Sequence, residues 1–243
     1  MNFFQYAYDP NVKFDMYTSM HLLMLFFTTI LFVLFFLFKN KISSSPNERK
    51  IRYGIGSFLI VMLITLIIID SIGGHIYLPF HLCSISYILT IVLLFTDNKY
   101  VFQYLFFAGI IGGIVTFAIP ELDHAGWNRF RFYEFIIAHS MIILVPIYYL
   151  TNRKYEITMK HTVMGILITN ILGFGMIPVN LLLRSTGIVE DANFMFVMEA
   201  PADVRAVFGE APWHLLSFEL VLLITFFGLY AVARWYQNKQ KAA

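Results

Sequence analysis

The chain has 243 residues, of which 59% are hydrophobic and 13% are charged. A soluble domain of this length does not need so much apolar material, so composition excludes that class and predicts a polytopic membrane protein. The formal net charge of +2 comes without a basic stripe, and the sequence therefore gives no sign of a nucleic-acid partner. A single cysteine forms no internal disulfide, so the cysteine count leaves the redox compartment open.

Seven apolar runs along the chain are suited to cross a bilayer as helices, which takes about 20 residues each. The first run is too long for a secretory signal and has no basic start, so we expect it to remain a membrane helix. The predicted spans are residues 19–38, 52–70, 79–95, 101–119, 132–150, 160–182 and 214–234. The sequence thus predicts an all-α bundle of seven transmembrane helices, a single transmembrane domain over residues 1–243, with an outer lid loop at 183–213.

The basic residues orient this bundle. Lysine and arginine are retained preferentially on the cytoplasmic side of a membrane. With the amino terminus outside, the inner segments hold Lys39, Lys41, Arg49, Lys50, Arg52, Lys99, Arg153, Lys154, Lys160, Arg234, Lys239 and Lys241, and the outer ones hold Lys13, Arg129, Arg131, Arg184 and Arg205. This bias predicts an outer amino terminus and a cytoplasmic carboxyl terminus.

With this orientation, most of the unusual polar residues fall near the outer ends of the spans. They include Asp70, Glu121 and Asn180, together with six of the seven histidines, namely His21, His75, His81, His124, His139 and His214. Ionisable groups at membrane depth are costly unless they pair or face a cavity, so a one-sided cluster indicates a functional site. We expect this site to open toward the outer leaflet.

The only cysteine, Cys83, follows Pro79 at the start of the third span. Proline suits the first turn of a helix, which places Cys83 about one turn inside the span. A helical repeat puts it on the face that also carries Ser86, Tyr87 and Thr90, which we expect to point into the bundle. On the same helix His81 points away from Cys83, which favours an orienting role for this imidazole over a role as the base.

His139 lies about two turns inside the fifth span, at a depth similar to that of Cys83. An imidazole that takes the thiol proton gives a nucleophile able to accept an acyl group as a thioester. The simpler alternative is packing, because a lone membrane cysteine is often a small hydrophobic residue and a buried histidine is often structural.

Four elements of the sequence together resemble a known family. They are His81-Leu82-Cys83 at the opening of a span, His139 placed 56 residues later, Asn193-Phe194-Met195-Phe196, and Pro212-Trp213-His214. Over roughly residues 15–235 the chain resembles the bacterial YwaF-like membrane proteins. Those are similar to the vertebrate transmembrane protein 164 acyltransferases and, more distantly, to the androgen-induced fatty-ester hydrolases. Phe194 stands where this pattern more often has tyrosine.

The resemblance implies acyl transfer between phospholipids without coenzyme A, in a bacterial plasma membrane. Cys83 would be the nucleophile and His139 the general base, with His81, Asn180 and His214 as candidates for orienting the base or stabilising the oxyanion. Glu121 and Asp70 are further supporting candidates. The expected partners are a phospholipid acyl donor and a lysolipid or other lipid acceptor, with no cofactor and no metal, and the oligomeric state stays open.

Two other interpretations compete with acyl transfer. In the first, the chain is a lipid or small-molecule binding protein or transporter whose pocket Cys83 merely lines, although no inverted repeat supports a transporter. In the second, it is a zinc-dependent membrane lipid hydrolase that uses His81, His139 and His214, with Asp70 or Glu121 nearby.

Overall fold

The computed structural model describes residues 3–6, 9, 11–122 and 125–242, with the side chain of Asp203 left out. Within these residues every regular element is helical and no strand occurs, which confirms the all-α prediction. The helices are α1 (Ser19–Ser43), α2 (Glu48–Ile72), α3 (Leu82–Thr96), α4 (Lys99–Ala118), α5 (Phe130–Thr151), α6 (Met159–Ser185), α7 (Arg205–Phe208) and α8 (His214–Ala242). Short 3-10 turns lie at Phe194–Phe196 and Ala202–Val204.

Six of the described helices are long and apolar enough to cross a membrane: α1, α2, α4, α5, α6 and α8. The chain is therefore a multi-pass membrane protein. The remaining apolar helix, α3, has 15 residues. At 1.5 Å per residue it is about 22 Å long, which is less than the roughly 30 Å of a bilayer hydrocarbon core. Length alone thus does not make α3 a seventh span.

The chain divides into two compact units, the first formed by residues 1–79 and 83–155. Helix α5 is the centre of this unit, since most of its side chains are buried and it packs against α1, α2 and α4. Glycines bring α4 very close to α5. A β-carbon at Gly109 would lie 2.7 Å from the carbonyl oxygen of Ile142, and one at Gly113 would lie 3.1 Å from that of His139. The backbone around His139 is therefore held tightly.

A buried arginine joins the helix ends at one side of this unit. Arg52, on the first turn of α2, donates through Nε to Glu48 at 2.8 Å and through Nη1 to the Leu94 carbonyl at 2.6 Å. Its Nη1 also contacts the Tyr149 hydroxyl, and its Nη2 pairs with Asp97 at 3.1 Å. The start of α2 therefore lies beside the ends of α3 and α5, so α3 runs antiparallel to α2.

Replacing Arg52 with methionine should destabilise the first unit by about 3 kcal/mol, because it removes charged hydrogen bonds to Glu48, Asp97 and the Leu94 carbonyl and leaves Arg153 as the remaining cation beside the two carboxylates. For a chain of this size, that corresponds to a fall of roughly 6–12 °C in melting temperature. The measurement is thermal unfolding in detergent followed by size-exclusion chromatography. Arg49→Met is the matched control, since Arg49 is exposed and its hydrogen bond among the described residues is to the Tyr53 hydroxyl. Equal melting of the two variants would contradict the role given to Arg52.

The second unit comprises residues 80–82 and 156–243. Its two long helices, α6 and α8, pack together, and few of their side chains are buried, as expected of helices that face lipid. Between them the chain from 186 to 213 carries the two 3-10 turns and α7, and this connection packs against both helices.

Candidate functional site

The structure corrects the predicted start of the third span. Helix α3 begins at Leu82, so Pro79 and His81 precede it and Cys83 is its second residue. His81 lies outside the helix, and its ring nitrogen accepts from the backbone N–H of Met195. Cys83 is partly buried, and the residues that share its face, Ser86, Tyr87 and Thr90, are buried as predicted.

Around Cys83 the first unit places hydroxyl groups and one cation. Ser84, on the first turn of α3, and Tyr77, in the loop before it, supply these hydroxyl groups. Burial raises the pKa of Tyr77, so its phenol stays protonated and able to donate. The Arg131 guanidinium interacts electrostatically with Cys83. The thiol thus has polar neighbours as well as apolar ones.

Arg131 itself forms an ion pair with Glu134, at 2.7 Å between Nη1 and Oε2. Glu134 is 2% exposed although it lies inside a membrane span, and its carboxylate also interacts with Asp70. The predicted site residues do not include this pair. Its signal was two opposite charges three residues apart at the outer end of a predicted span, where ionisable groups are rare. Exposed Glu121 interacts electrostatically with Cys83.

His139 is buried in α5 with a defined hydrogen-bonding state. Its Nδ1 lies 2.7 Å from the carbonyl oxygen of Phe135, whose ring packs at 4.2 Å between centroids. Because a carbonyl only accepts, Nδ1 carries the proton, and Nε2 of the neutral ring is left with a lone pair. Arg131 interacts electrostatically with His139 as it does with Cys83. Among the described residues no hydrogen bond joins Cys83 to His139, so their pairing stays a prediction.

His21, the other described histidine of the first unit that is buried, differs from His139 because both of its ring nitrogens form hydrogen bonds. Nε2 lies 2.9 Å from the Phe117 carbonyl, and Nδ1 accepts from the Tyr17 N–H at 3.2 Å. No lone pair is left for chemistry, so His21 has the bonding of a structural histidine. His124 and Asp123 lie outside the described residues.

A second polar cluster lies in the second unit and is centred on Asn180. This fully buried amide donates to the Phe194 carbonyl at 3.1 Å and accepts from the Phe194 N–H at 2.8 Å. It thereby anchors residues 193–199, which we call the strap. Asn193 closes the strap by accepting from the Met198 N–H. Met195 and Phe196 have φ of 58° and 53°, a left-handed conformation that costs roughly 1–2 kcal/mol per residue.

Two histidines hold the same strap. Nδ1 of His81 accepts from the Met195 N–H at 3.4 Å, and the His81 ring packs 5.1 Å from the rings of both Phe194 and Phe196. Burial lowers the pKa of His81 to about 4, so the ring is neutral near pH 7 and can accept this bond. His214, which is fully buried, donates from Nε2 to the Phe196 carbonyl at 3.0 Å.

These contacts give the three candidates a shared task that the sequence did not predict. His81, Asn180 and His214 all bond the backbone of Phe194–Phe196, which differs from the predicted contact with a catalytic base or an oxyanion. We call the three side chains the clamp. The described residues contain no group of three or more His, Cys, Asp or Glu side chains that could hold a metal ion.

Comparison with protein-family models gives a match over residues 16–230, to the model of the TMEM164 family. The chain belongs to the TMEM164 family. The expected relation to transmembrane protein 164 is thereby confirmed. Comparisons with curated proteins and with solved structures gave no match. In this TMEM164 family member the matched region contains Cys83, His139 and the whole clamp.

Proposed function

We propose that this TMEM164 family member is an acyltransferase that moves a fatty acyl chain between membrane lipids through an acyl-cysteine intermediate. The observation that supports it best is the bonding of His139. An imidazole whose Nδ1–H is fixed on a backbone carbonyl presents an unprotonated Nε2, which is the state that a general base requires. Cys83 is the chain's only thiol, and Arg131 interacts electrostatically with both Cys83 and His139.

In the first half-reaction His139 Nε2 takes the proton from the Cys83 thiol, and the thiolate attacks the ester carbonyl of a phospholipid. The tetrahedral intermediate collapses to a thioester. The ester C–O bond breaks, and the departing lysolipid oxygen receives the proton from His139. In the second half, His139 takes a proton from an acceptor hydroxyl, whose oxygen attacks the thioester and releases Cys83, which is reprotonated. The two half-reactions together restore the Cys83 thiol and the neutral His139 ring, so the cycle needs no cofactor.

Arg131 would support these steps electrostatically. Its positive charge would favour both the thiolate and the oxyanion of the tetrahedral intermediate, since fixed charges act strongly where water is excluded. The ion pair with buried Glu134 holds the guanidinium in place. We assign Arg131 to transition-state stabilisation, and we assign no direct chemical step to Asp70 or Glu121.

We propose a topology of seven spans with an outer amino terminus. Two observations support it. Helix α3 runs antiparallel to α2 and ends beside Arg52, and on the same side Asn152, after α5, donates to Asn40 near the end of α1 at 2.9 Å. This side also carries most of the lysines and arginines of the first unit, as the cytoplasmic face does. The proposal includes a bacterial plasma membrane and the YwaF-like branch of the family, with a lysophospholipid, glycolipid or lipoprotein as acceptor.

The decisive experiment is intact-protein mass spectrometry after incubation of the purified protein with mixed phospholipids. An added mass of one fatty acyl chain, released by hydroxylamine and mapped to Cys83, is the expected result. Tightly bound lipid without a covalent adduct would favour the binding-protein alternative. An adduct on another residue would overturn the mechanism.

Orientation has its own test in intact cells. A membrane-impermeant maleimide should label Cys83 from the outside, because Cys83 opens a helix that is entered from the outer loop in the proposed topology. Excess phospholipid should slow the labelling. A single cysteine placed at Ser45, in the turn between α1 and α2, in a Cys83→Ala background is the matched control and should stay unlabelled. Labelling of Ser45→Cys but not of Cys83 would reverse the orientation.

A further inference from the structure

Three side chains form a row along one face of α5, in the first unit. Arg131, Phe135 and His139 are spaced four residues apart, so each lies about one helical turn from the next. The proposed reaction uses the first as a cation and the last as a base. Phe135 stands between them in the row and is 2% exposed, yet no step of the reaction uses its ring.

The Phe135 ring contacts both of its neighbours in this row. The guanidinium carbon of Arg131 lies over the ring, 5.5 Å from its centroid, which is within the range of a cation–π interaction. The His139 ring lies 4.2 Å away between centroids, at an interplanar angle of 39°. The Phe135 carbonyl also accepts from Nδ1 of His139 at 2.7 Å. Phe135 therefore holds the imidazole through its ring and through its backbone.

The place of the guanidinium matters for the site because its charge acts on two groups. Arg131 interacts electrostatically with Cys83 and with His139. An arginine side chain has many rotamers, so its charge acts at a defined point only where contacts fix it. The ion pair with Glu134 is one such contact, and the face of the Phe135 ring is a second.

We propose that Phe135 is a positioning residue for Arg131 and His139: its ring fixes the guanidinium that acts on Cys83 and orients the imidazole that serves as the base. This inference rests on the proposed function for the roles of Cys83 and His139. The row itself is a feature of α5 and can be tested without any lipid substrate. Phe135 takes part in no bond that the reaction makes or breaks.

Phe135→Leu tests the proposal, because leucine is apolar but has no aromatic face. Phe132→Leu is the matched control, since Phe132 is fully buried in the same helix and its ring contact among the described residues is with Tyr133. Both variants should lower the melting temperature alike. Phe135→Leu should slow alkylation of Cys83 by maleimide about fivefold, because a displaced cation favours the thiolate less, and should slow acyl-adduct formation about tenfold. Phe132→Leu should change neither rate.

Fluorinated phenylalanines at position 135 test the contact with the guanidinium at nearly constant shape. Each ring fluorine withdraws negative potential from the ring face, so the alkylation rate of Cys83 should fall stepwise as fluorines are added. The control background carries Arg131→Met with Glu134→Gln, so that neither ion-pair partner is left buried alone. In that background fluorination should change the alkylation rate by less than about twofold. A merely structural role of the ring would not produce this dependence.

The orientation of His139 has a spectroscopic signature. A ring fixed with its proton on Nδ1 gives separate ¹⁵N resonances for a protonated and an unprotonated nitrogen. In protein labelled with ¹⁵N-histidine, the resonances that His139→Asn removes are those of His139. Phe135→Leu should replace them with the averaged resonances of a ring that exchanges its tautomers, and Phe132→Leu should leave them in place.

The outcomes distinguish this inference from the proposed function. Alkylation of Cys83 at the same rate in Phe135→Leu, in the fluorinated proteins and in the wild type would overturn the part that concerns Arg131. Unchanged histidine resonances in Phe135→Leu would overturn the part that concerns His139. If even the wild-type protein forms no acyl adduct, acyl transfer fails, and the alkylation rates and the resonances still decide whether Phe135 positions its two neighbours.

Discussion

Cys83→Ala is expected to abolish the acyl adduct and to reduce lipid acyl transfer at least about a thousandfold. No second cysteine exists to replace the lost nucleophile. The change removes one partly buried sulfur from the second residue of α3, where the loss in packing is small, so insertion and melting temperature should stay close to wild type. The measurements are intact-protein mass spectrometry and transfer of a labelled acyl chain between phospholipids in detergent.

The control for this variant is Ser86→Ala, one turn further along the same face of α3. The Ser86 hydroxyl is fully buried and has no hydrogen-bond partner within the described part of the chain, so its removal should affect neither the fold nor the reaction. Cys83→Ser tests whether the thiol acts as a nucleophile or only fills space, because a hydroxyl is a far weaker nucleophile than a thiol at neutral pH. Full transfer by Cys83→Ala would refute the covalent mechanism.

The long apolar helices were predictable because twenty apolar residues in a row have one stable state in a bilayer. Helices such as α1 and α6 extend beyond their predicted spans, because a helix continues past the hydrocarbon core where its backbone bonds remain favourable. The start of α3 was not predictable from Pro79. His81, which precedes the helix, accepts from the Met195 N–H although the two residues lie 114 positions apart, and no local pattern predicts such a contact.

In the candidate site, too, some features could be predicted from the sequence and others could not. Cys83 and His139 were selected by residue type and depth, and burial of His139 agrees with that choice. The tautomer of His139 could not be predicted, because it depends on the tertiary contacts that hold its ring against Phe135. Asn180 was selected as a polar group at membrane depth, but its task follows from the left-handed strap, and propensity does not place two such residues in a Phe-Met-Phe sequence.

His139→Asn should slow acyl-adduct formation by about 10²–10⁴-fold, which is the usual contribution of a general base. Asparagine keeps an N–H near the place of Nδ1, so the bond to the Phe135 carbonyl and the packing of α5 against α4 should survive. The lone pair of Nε2 is lost. Without it the thiol must give its proton to solvent, so the residual rate should rise steadily with pH, and single-turnover kinetics across a pH series measures both effects.

His161→Ala is the control, because His161 lies at the start of α6, where its Nδ1 accepts from the Thr158 N–H and caps the helix. Losing this cap should cost about 1 kcal/mol in stability and leave the adduct rate unchanged. Comparing the two variants therefore distinguishes a histidine that acts as a general base from one that only stabilises the fold. If His161→Ala slows the reaction as much as His139→Asn does, the base has been assigned to the wrong end of the bundle. If His139→Asn retains the wild-type rate at pH 7, the Cys83 thiol loses its proton to another group.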